Sequence, residues 1–235
     1  MTDVDDFYAL IDQMRRRCGG ERRLADCDAR TGWPARGVYF FFEPGETRAT
    51  GEPRIVRIGT HALRGGSSTT LWGRLSQHRG NVGGSNPGGG SHRGSIFRLH
   101  VGQCLLARDG DPHGIAKTWG TKPSASKQVR ELEGAYETRV SEYIGRMPML
   151  WLPVLDDAGP TSQRAIIEHQ SIALLSHARR DGADPPSAAW LGQLSTRTAI
   201  RDGGLWNVDH VARSVTGELL DALDLHLKAE HRTTR

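Results

Sequence analysis

Two stretches rich in β-forming residues lie close together in the first quarter of the chain and constrain its fold more than any other feature. Residues 36–46 read RGVYFFFEPGE, with an unbroken apolar run from Val38 to Phe42. Residues 54–59 read RIVRIG, and the intervening PGETRATGEP is typical of a turn. We therefore predict two strands, at 37–43 and 54–59, that pair in an antiparallel manner.

The rest of the chain predicts one more strand and several helices. The strand is MLWLPVL, residues 149–155. Apolar residues at helical spacing predict helices at 4–17, 71–79, 95–108, 127–145 and 163–180, a short helix after Ser195, and a C-terminal helix from about 209 to 229. This pattern predicts an α+β fold with a small, three-stranded, mainly antiparallel sheet flanked by helices.

Residues 80–94 interrupt these elements with a glycine-rich loop. Seven of its fifteen residues are glycine, a composition that disfavours helix and strand and predicts mobility. Both flanks of the loop are needed to complete the three strands and their helices, so it does not mark a domain boundary. We expect residues 1–235 to form a single domain, with residues 190–235 as a C-terminal helical extension.

Several classes of protein are excluded by simple counts. The chain has no run of 18 apolar residues, so we expect no membrane span. Its first residues, MTDVDDFYALIDQ, lack the basic and then apolar order of a signal peptide, which predicts a cytoplasmic protein. The three cysteines lack metal-type spacing and are interpreted as buried thiols. The oligomeric state is left open, with a homodimer among the options.

The charge distribution points to a polyanionic partner. The net charge is only +4, but no Asp or Glu occurs between Pro53 and Arg108. That stretch holds eight arginines and four histidines. Codon usage can explain why arginine outnumbers lysine, but it does not explain the absence of acids. Such a stretch favours binding to phosphate groups.

Three positions could carry chemistry, and each also has an ordinary structural interpretation. Tyr39 interrupts an apolar strand, either as a packed ring with a surface hydroxyl or as a hydroxyl that points into a cleft. Arg74 and His78 lie one turn apart on a predicted helix. They are either two solvated polar residues or a fixed cation beside a proton-transfer group. Glu168 lies among isoleucines and leucines, as a solvent-facing carboxylate or as a ligand for a hard divalent cation.

The order of these features resembles the GIY-YIG nuclease family. Gly37-Val38-Tyr39 stands at the first motif and Arg57-Ile58-Gly59 at the second. Arg74 matches the family's catalytic arginine, His78 the His or Tyr one turn later, and Glu168 the metal-binding glutamate on the helix after the third strand. Asn207 is a weaker match to a downstream asparagine. The resemblance covers residues 36–176, with insertions at 80–94 and 109–147.

One departure from the family pattern concerns the second motif, which usually begins with tyrosine where this chain has Arg57. A guanidinium stays charged and cannot act as a general base, although it can hold a phosphate. Activation of the nucleophile would then fall to Tyr39 with His78, or with His61.

The resemblance implies an endonuclease that hydrolyses phosphodiester bonds of DNA, in restriction, defence or repair. It implies one Mg²⁺, or alternatively Mn²⁺, on Glu168, with Arg74 neutralising charge on the phosphate. Candidate substrate-binding residues are Arg64, Arg79, His92 and Arg93, with Asn81 and Asn86 as further loop contacts. Two other interpretations remain open: a catalytically inactive nucleic-acid-binding module on the same fold, and an enzyme that acts on another phosphate-containing substrate.

Overall fold

The computed structural model describes residues 3–81, 89–111, 113–121, 123–159, 161–177 and 184–233. Its helices are α1 (Asp3–Arg17), α2 (Leu71–Arg79), α3 (Ile96–Asp109), α4 (Lys127–Gly145), α5 (Gln163–Leu175), α6 (Thr198–Gly203) and α7 (Glu218–Thr233). Its strands are β1 (Arg22–Arg23), β2 (Gly37–Thr47), β3 (Pro53–Gly59) and β4 (Pro148–Pro153). The predicted α+β class is confirmed.

The sheet has four strands rather than three, in the order β1-β4-β2-β3, and every neighbouring pair is antiparallel. The additional strand, β1, is only two residues long and pairs with the start of β4. So short a segment carries no period that sequence analysis could detect. Strand β2 lies in the interior of the sheet, and β3 forms one edge.

Side-chain alternation along β2 divides the core into two clusters, as a period of two requires. Val38, Phe40 and Phe42 belong to a cluster that also contains residues of α1, α5 and α7. Tyr39 and Phe41 belong to the opposite cluster, with residues of α2, α3 and α4. The apolar run of β2 is therefore continuous because both faces of the sheet are covered.

A column of indole rings holds helix α2 over the face of the sheet that carries Tyr39 and Phe41. Trp72 stacks on Trp33, with ring centroids 5.3 Å apart, and Trp33 contacts Trp151 of β4 at 4.5 Å. Its N-terminus is capped by Thr70, whose hydroxyl accepts a hydrogen bond from the backbone N–H of Gly73. These contacts fix the direction in which α2 presents Arg74 and His78.

The C-terminal helix begins later than the sequence predicts, at Glu218 instead of about 209. His210 has a φ of 67°, in the left-handed region that does not continue a helix. The segment before α7 is therefore irregular. None of the helices in the described ranges is both long and apolar enough to cross a membrane.

Candidate active site

The glycines of the two sequence motifs are explained by close packing, of Gly59 against Tyr39 and of Gly37 against the backbone of β4. A Cβ atom on Gly59, which is paired with Tyr39 across the strands, would lie 2.2 Å from the Tyr39 hydroxyl. A Cβ atom on Gly37 would lie 2.6 Å from the carbonyl oxygen of Leu152. Neither space admits a larger residue without a shift. The phenol ring of Tyr39 therefore lies directly against the end of β3.

His78 forms a hydrogen bond with the Tyr39 hydroxyl at the centre of the site. The Tyr39 oxygen lies 2.9 Å from Nε2 of His78, and Nδ1 of His78 lies 2.7 Å from the hydroxyl of Ser95. His78 is fully buried. Burial, together with the charges of Arg74 and Arg57, lowers the pKa of His78 well below its usual value, so the imidazole is neutral near pH 7.

Arg74 lies one turn before His78 on α2 and remains partly exposed. Its guanidinium Nη1 donates to Oε1 of Gln77 at 2.9 Å and to the carbonyl oxygen of Gly94 at 3.3 Å. It has no ion-pair partner within the described part of the chain. A positive charge without a carboxylate partner is suited to an anionic ligand.

Glu168 faces the same site from α5. Its Oε1 accepts a hydrogen bond from the backbone N–H of Thr60 at 3.1 Å, immediately after β3. Burial raises the pKa of Glu168 to about 7, while Arg57, the Thr60 N–H and Arg74 oppose the shift. Its Oε2 lies 3.9 Å from Nε2 of His169, beyond hydrogen-bonding distance. Within the described residues, no hydrogen bond to that oxygen is found.

Arg57 takes a central place between these groups. It is buried, donates from Nη1 to the carbonyl oxygen of Trp206 at 2.6 Å, and stacks on the ring of Phe97 with Cζ 5.0 Å from the centroid. Burial lowers its pKa, while Tyr39 and Glu168 raise it. Arg57 is therefore close enough to both groups to stabilise negative charge on either.

Asn207 joins the site through the backbone of β3. Its amide oxygen accepts from the N–H of Ile58 at 3.1 Å, and its amide nitrogen donates to the carbonyl oxygen of Ile58 at 2.8 Å. The adjacent Trp206 N–H donates to the carbonyl of Val56 at 2.7 Å. Asn207 thus lies beside the predicted group, but its side chain is occupied in holding the free edge of β3.

The predicted substrate-binding residues do not form one group. Arg64 is exposed, with no side-chain partner in the described residues. Arg79 packs on Trp72 and donates to the carbonyl oxygen of Ala25 at 3.2 Å. Asn86 lies outside the described residues, as does much of the predicted mobile loop.

His92 and Arg93 need a correction, because the structure gives them internal partners. His92 is 2% exposed, both of its ring nitrogens have partners, and it stacks on Trp119 with centroids 3.9 Å apart. Arg93 makes a bidentate ion pair with Glu133, at 2.6 and 3.0 Å. Both side chains hold the 92–94 turn against the neighbouring elements, so we assign them structural roles in place of DNA contacts.

Sequence reasoning missed Ser95 and Thr60, which contact His78 and Glu168. Ser95 stands immediately before a helical pattern, which predicts an N-cap but not a contact with a histidine 17 positions earlier. Thr60 contributes a backbone N–H, which every residue except proline carries. Neither contact leaves a signal in the sequence.

Glu168 is the residue that the sequence predicts as a metal ligand at this site. Within the described ranges, no group of three or more His, Cys, Asp or Glu side chains could hold a metal ion. Mg²⁺ needs no such group, because it usually keeps several waters and binds one or two carboxylates together with substrate phosphates. The open Oε2 of Glu168 fits this requirement.

Comparison with known proteins agrees with the geometry. The family model described as "GIY-YIG domain" matches residues 1–233. No curated protein and no solved structure matches the chain. The family match spans nearly the whole sequence, and the residues of both sequence motifs lie at the site described above. The chain belongs to the GIY-YIG family.

Proposed function

We propose that this protein is a Mg²⁺-dependent endonuclease that hydrolyses phosphodiester bonds of DNA. One observation carries the proposal: Tyr39, Arg57 and Glu168 lie within mutual electrostatic influence, and α2 brings Arg74 and His78 to the same place. These side chains come from β2, β3, α2 and α5. Family membership makes a nucleic acid the expected substrate.

Glu168 is the residue that would hold the metal. When bound there, Mg²⁺ would polarise the scissile phosphate and offset its negative charge. Burial raises the pKa of Glu168, and the positive charges of Arg57 and Arg74 reduce that rise. Both arginines therefore make the carboxylate easier to ionise. The Thr60 N–H holds Oε1, so Oε2 would be the oxygen that meets the metal.

Tyr39 is the residue that would act on the attacking water. Its oxygen is held by His78 and lies beside the Arg57 guanidinium, so negative charge on it is stabilised by a hydrogen bond and by an adjacent cation. Arg74 faces the site with a guanidinium that lacks a carboxylate partner among the described residues and would neutralise charge that builds on the phosphate oxygens. The second motif usually begins with tyrosine; in this chain Arg57 stands there and would stabilise negative charge.

A cleavage assay tests the proposal. Supercoiled plasmid DNA is incubated with the protein and Mg²⁺ at low salt and about pH 8, where Glu168 is ionised. We expect nicking or linearisation that falls at least about 100-fold in Glu168→Gln. Gln keeps the acceptor for the Thr60 N–H, so the variant should fold. Glu142→Gln, an exposed residue on α4, is the matched control and should cleave normally.

The pKa of Glu168 predicts how cleavage changes with pH. The metal binds the ionised carboxylate, and the proton competes with it below the pKa of about 7. Cleavage should therefore fall as the pH is lowered through this value, and added Mg²⁺ should partly restore it. Unchanged cleavage by Glu168→Gln would exclude the proposed metal site.

Arg57 favours a second candidate, an inactive nucleic-acid-binding module. A site that cannot activate water would still bind DNA through its cations. In that case no cleavage would be seen with Mg²⁺ or Mn²⁺, and DNA binding would survive Glu168→Gln. Cleavage restricted to RNA or nucleotides in the same assay would instead indicate another phosphate-containing substrate.

A further inference from the structure

Ser95 links the candidate site to the start of α3. Its hydroxyl lies 2.7 Å from Nδ1 of His78 and accepts the backbone N–H of Arg98 at 3.3 Å, which makes it the N-cap of the helix. Ser95 is 1% exposed. Arg98 is itself fully buried and donates to the carbonyl oxygen of His78 at 3.0 Å. The hydroxyl is therefore fixed from two sides.

The hydrogen bonds of His78 can be arranged in two ways, because a neutral imidazole has one N–H and one bare nitrogen. In the first, Nδ1–H donates to Ser95 and Nε2 accepts from the Tyr39 hydroxyl. In the second, the Ser95 hydroxyl donates to Nδ1 and Nε2–H donates to the Tyr39 oxygen. Each arrangement leaves one hydroxyl hydrogen without a protein acceptor in the described residues.

The direction of the hydrogen-bond chain distinguishes the two arrangements, because Ser95 and Tyr39 are equally buried at 1% exposure. In the first arrangement the Ser95 oxygen receives both the Nδ1–H of His78 and the backbone N–H of Arg98, so two donors end on one acceptor. The second arrangement forms a continuous chain in which the Ser95 oxygen accepts from Arg98, its hydroxyl donates to His78, and His78 donates to Tyr39. Such chains strengthen each member.

We propose that Ser95 is a positioning residue that fixes His78 as a hydrogen-bond donor to Tyr39. This rests on the proposed function, since it assigns the direction of a proton at the same site. His78 then does not remove a proton from Tyr39; it stabilises negative charge on the tyrosine oxygen, together with Arg57.

The chemical step follows from this direction. Tyr39 first loses its hydroxyl proton to a water molecule, and the resulting phenolate takes one proton from the attacking water. The hydroxide oxygen forms the new bond to phosphorus, the bond from phosphorus to the leaving alcohol oxygen breaks, and that oxygen takes a proton from solvent. No proton passes through His78.

Three variants of Ser95 separate this role from helix capping. Ser95→Thr keeps a hydroxyl that both caps and donates. Ser95→Asp caps a helix as well as serine does but can only accept, so it forces the proton onto Nδ1. Ser95→Ala loses both functions. Ser162→Ala removes the equivalent cap of α5, where the serine hydroxyl accepts from the backbone N–H of Ala165, and is the matched control.

The test measures the tautomer and the activity of the same proteins. Nitrogen NMR of histidine-labelled protein reports which ring nitrogen of His78 carries hydrogen, with the signal assigned by its loss in His78→Gln. We expect Nε2–H in the wild type, Ser95→Thr and Ser162→Ala, and Nδ1–H in Ser95→Asp. Plasmid cleavage should be within about threefold of wild type in Ser95→Thr and Ser162→Ala, and at least about tenfold lower in Ser95→Asp and Ser95→Ala.

Two results would overturn the inference: an Nδ1–H tautomer in the wild type, or a Ser95→Asp variant that cleaves like wild type. Thermal melting shows whether loss of activity reflects loss of the fold. Both Ser162→Ala and Ser95→Ala should melt at a lower temperature than wild type, but only Ser162→Ala should retain activity. If the wild type cleaves nothing, the proposed function fails, whereas the NMR spectrum still decides the tautomer.

Discussion

Gly59 illustrates how a single residue can specify the site without taking part in chemistry. It is the last residue of β3, opposite Tyr39 in the antiparallel register. The phenol occupies the space where any other side chain would begin. The hydrogen bond between Tyr39 and His78 therefore depends on a residue that has no side chain of its own.

Gly59→Ala should displace Tyr39. We expect a large loss of cleavage activity and a modest loss of folding stability. The new methyl group would meet the Tyr39 hydroxyl at 2.2 Å and Cζ at 2.3 Å, so the ring must move. We expect a loss of stability of about 1–3 kcal/mol, as for other overpacked sites. A displacement of about 1 Å at a reacting group costs about 100-fold in rate. Plasmid cleavage and urea unfolding measure the two effects.

Gly134→Ala is the control for this prediction. Gly134 lies within α4, and nothing lies within 4 Å of the position that its Cβ would take. Alanine there should stabilise the helix by about 0.5–1 kcal/mol and leave cleavage unchanged. Wild-type cleavage by Gly59→Ala would show that Tyr39 does not need its present position.

At the scale of elements, sequence predicts what is local and misses what is distant. Both motif strands, α2 and α4 are found where period and turn residues predict them, and the alternation along β2 correctly assigns Tyr39 and Phe40 to opposite faces. The short strand β1 and the contacts of Ser95 could not be predicted. They depend on the pairing of segments far apart in the chain, and pairing of that kind has no period.

The segment 204–207 is a further element that only the fold reveals. It lies along the free edge of β3, where Arg54 donates to the carbonyl oxygen of Gly204 at 2.6 Å and Asn207 brackets Ile58. An uncovered edge strand would expose unpaired backbone groups. The segment therefore covers an edge and at the same time accepts the guanidinium of Arg57 through the carbonyl of Trp206.

Asn207 variants test whether this segment holds β3 in place. Asn207→Ala removes both hydrogen bonds to Ile58 and should cost about 2 kcal/mol of stability. It should also expose the Ile58 N–H to rapid hydrogen exchange and reduce cleavage. The isosteric Asn207→Asp keeps the acceptor and loses the donor, so the Ile58 N–H should stay protected although stability falls. An Ile58 amide that remains protected in Asn207→Ala would contradict this role.

At the scale of the whole molecule, the acid-free stretch from Pro53 to Arg108 proves to be only partly a positive surface. Acidic residues outside the stretch pair with half of its eight arginines. The pairs are Arg54–Glu46, Arg93–Glu133, Arg98–Glu137 and Arg108–Asp109. In the described part of the chain, Arg57, Arg64, Arg74 and Arg79 have no ion pair, and two of these belong to the candidate site. Sequence alone overestimates the field because it cannot show which charges the fold brings together.

A matched pair of arginine variants tests this division by salt dependence. Binding to duplex DNA is measured by fluorescence anisotropy over a range of NaCl concentrations, in the Glu168→Gln background so that no DNA is cut. Each phosphate contact adds about 0.9 to the slope of log affinity against log salt. Arg64→Ala removes an exposed, unpaired cation, so it should weaken binding and reduce the slope by about 1.

Arg93→Ala removes a cation that lies in the same acid-free stretch but is already neutralised by Glu133. It should leave the slope and the affinity unchanged and lower stability by about 2 kcal/mol, because Glu133 loses two charge-assisted hydrogen bonds. If the two variants changed the slope equally, the ion pair would not be neutralising Arg93, and the whole stretch would act on DNA as one positive surface. A changed slope in Arg64→Ala alone would place the DNA path beside the turn between β3 and α2, which also carries Thr60 and so adjoins Glu168.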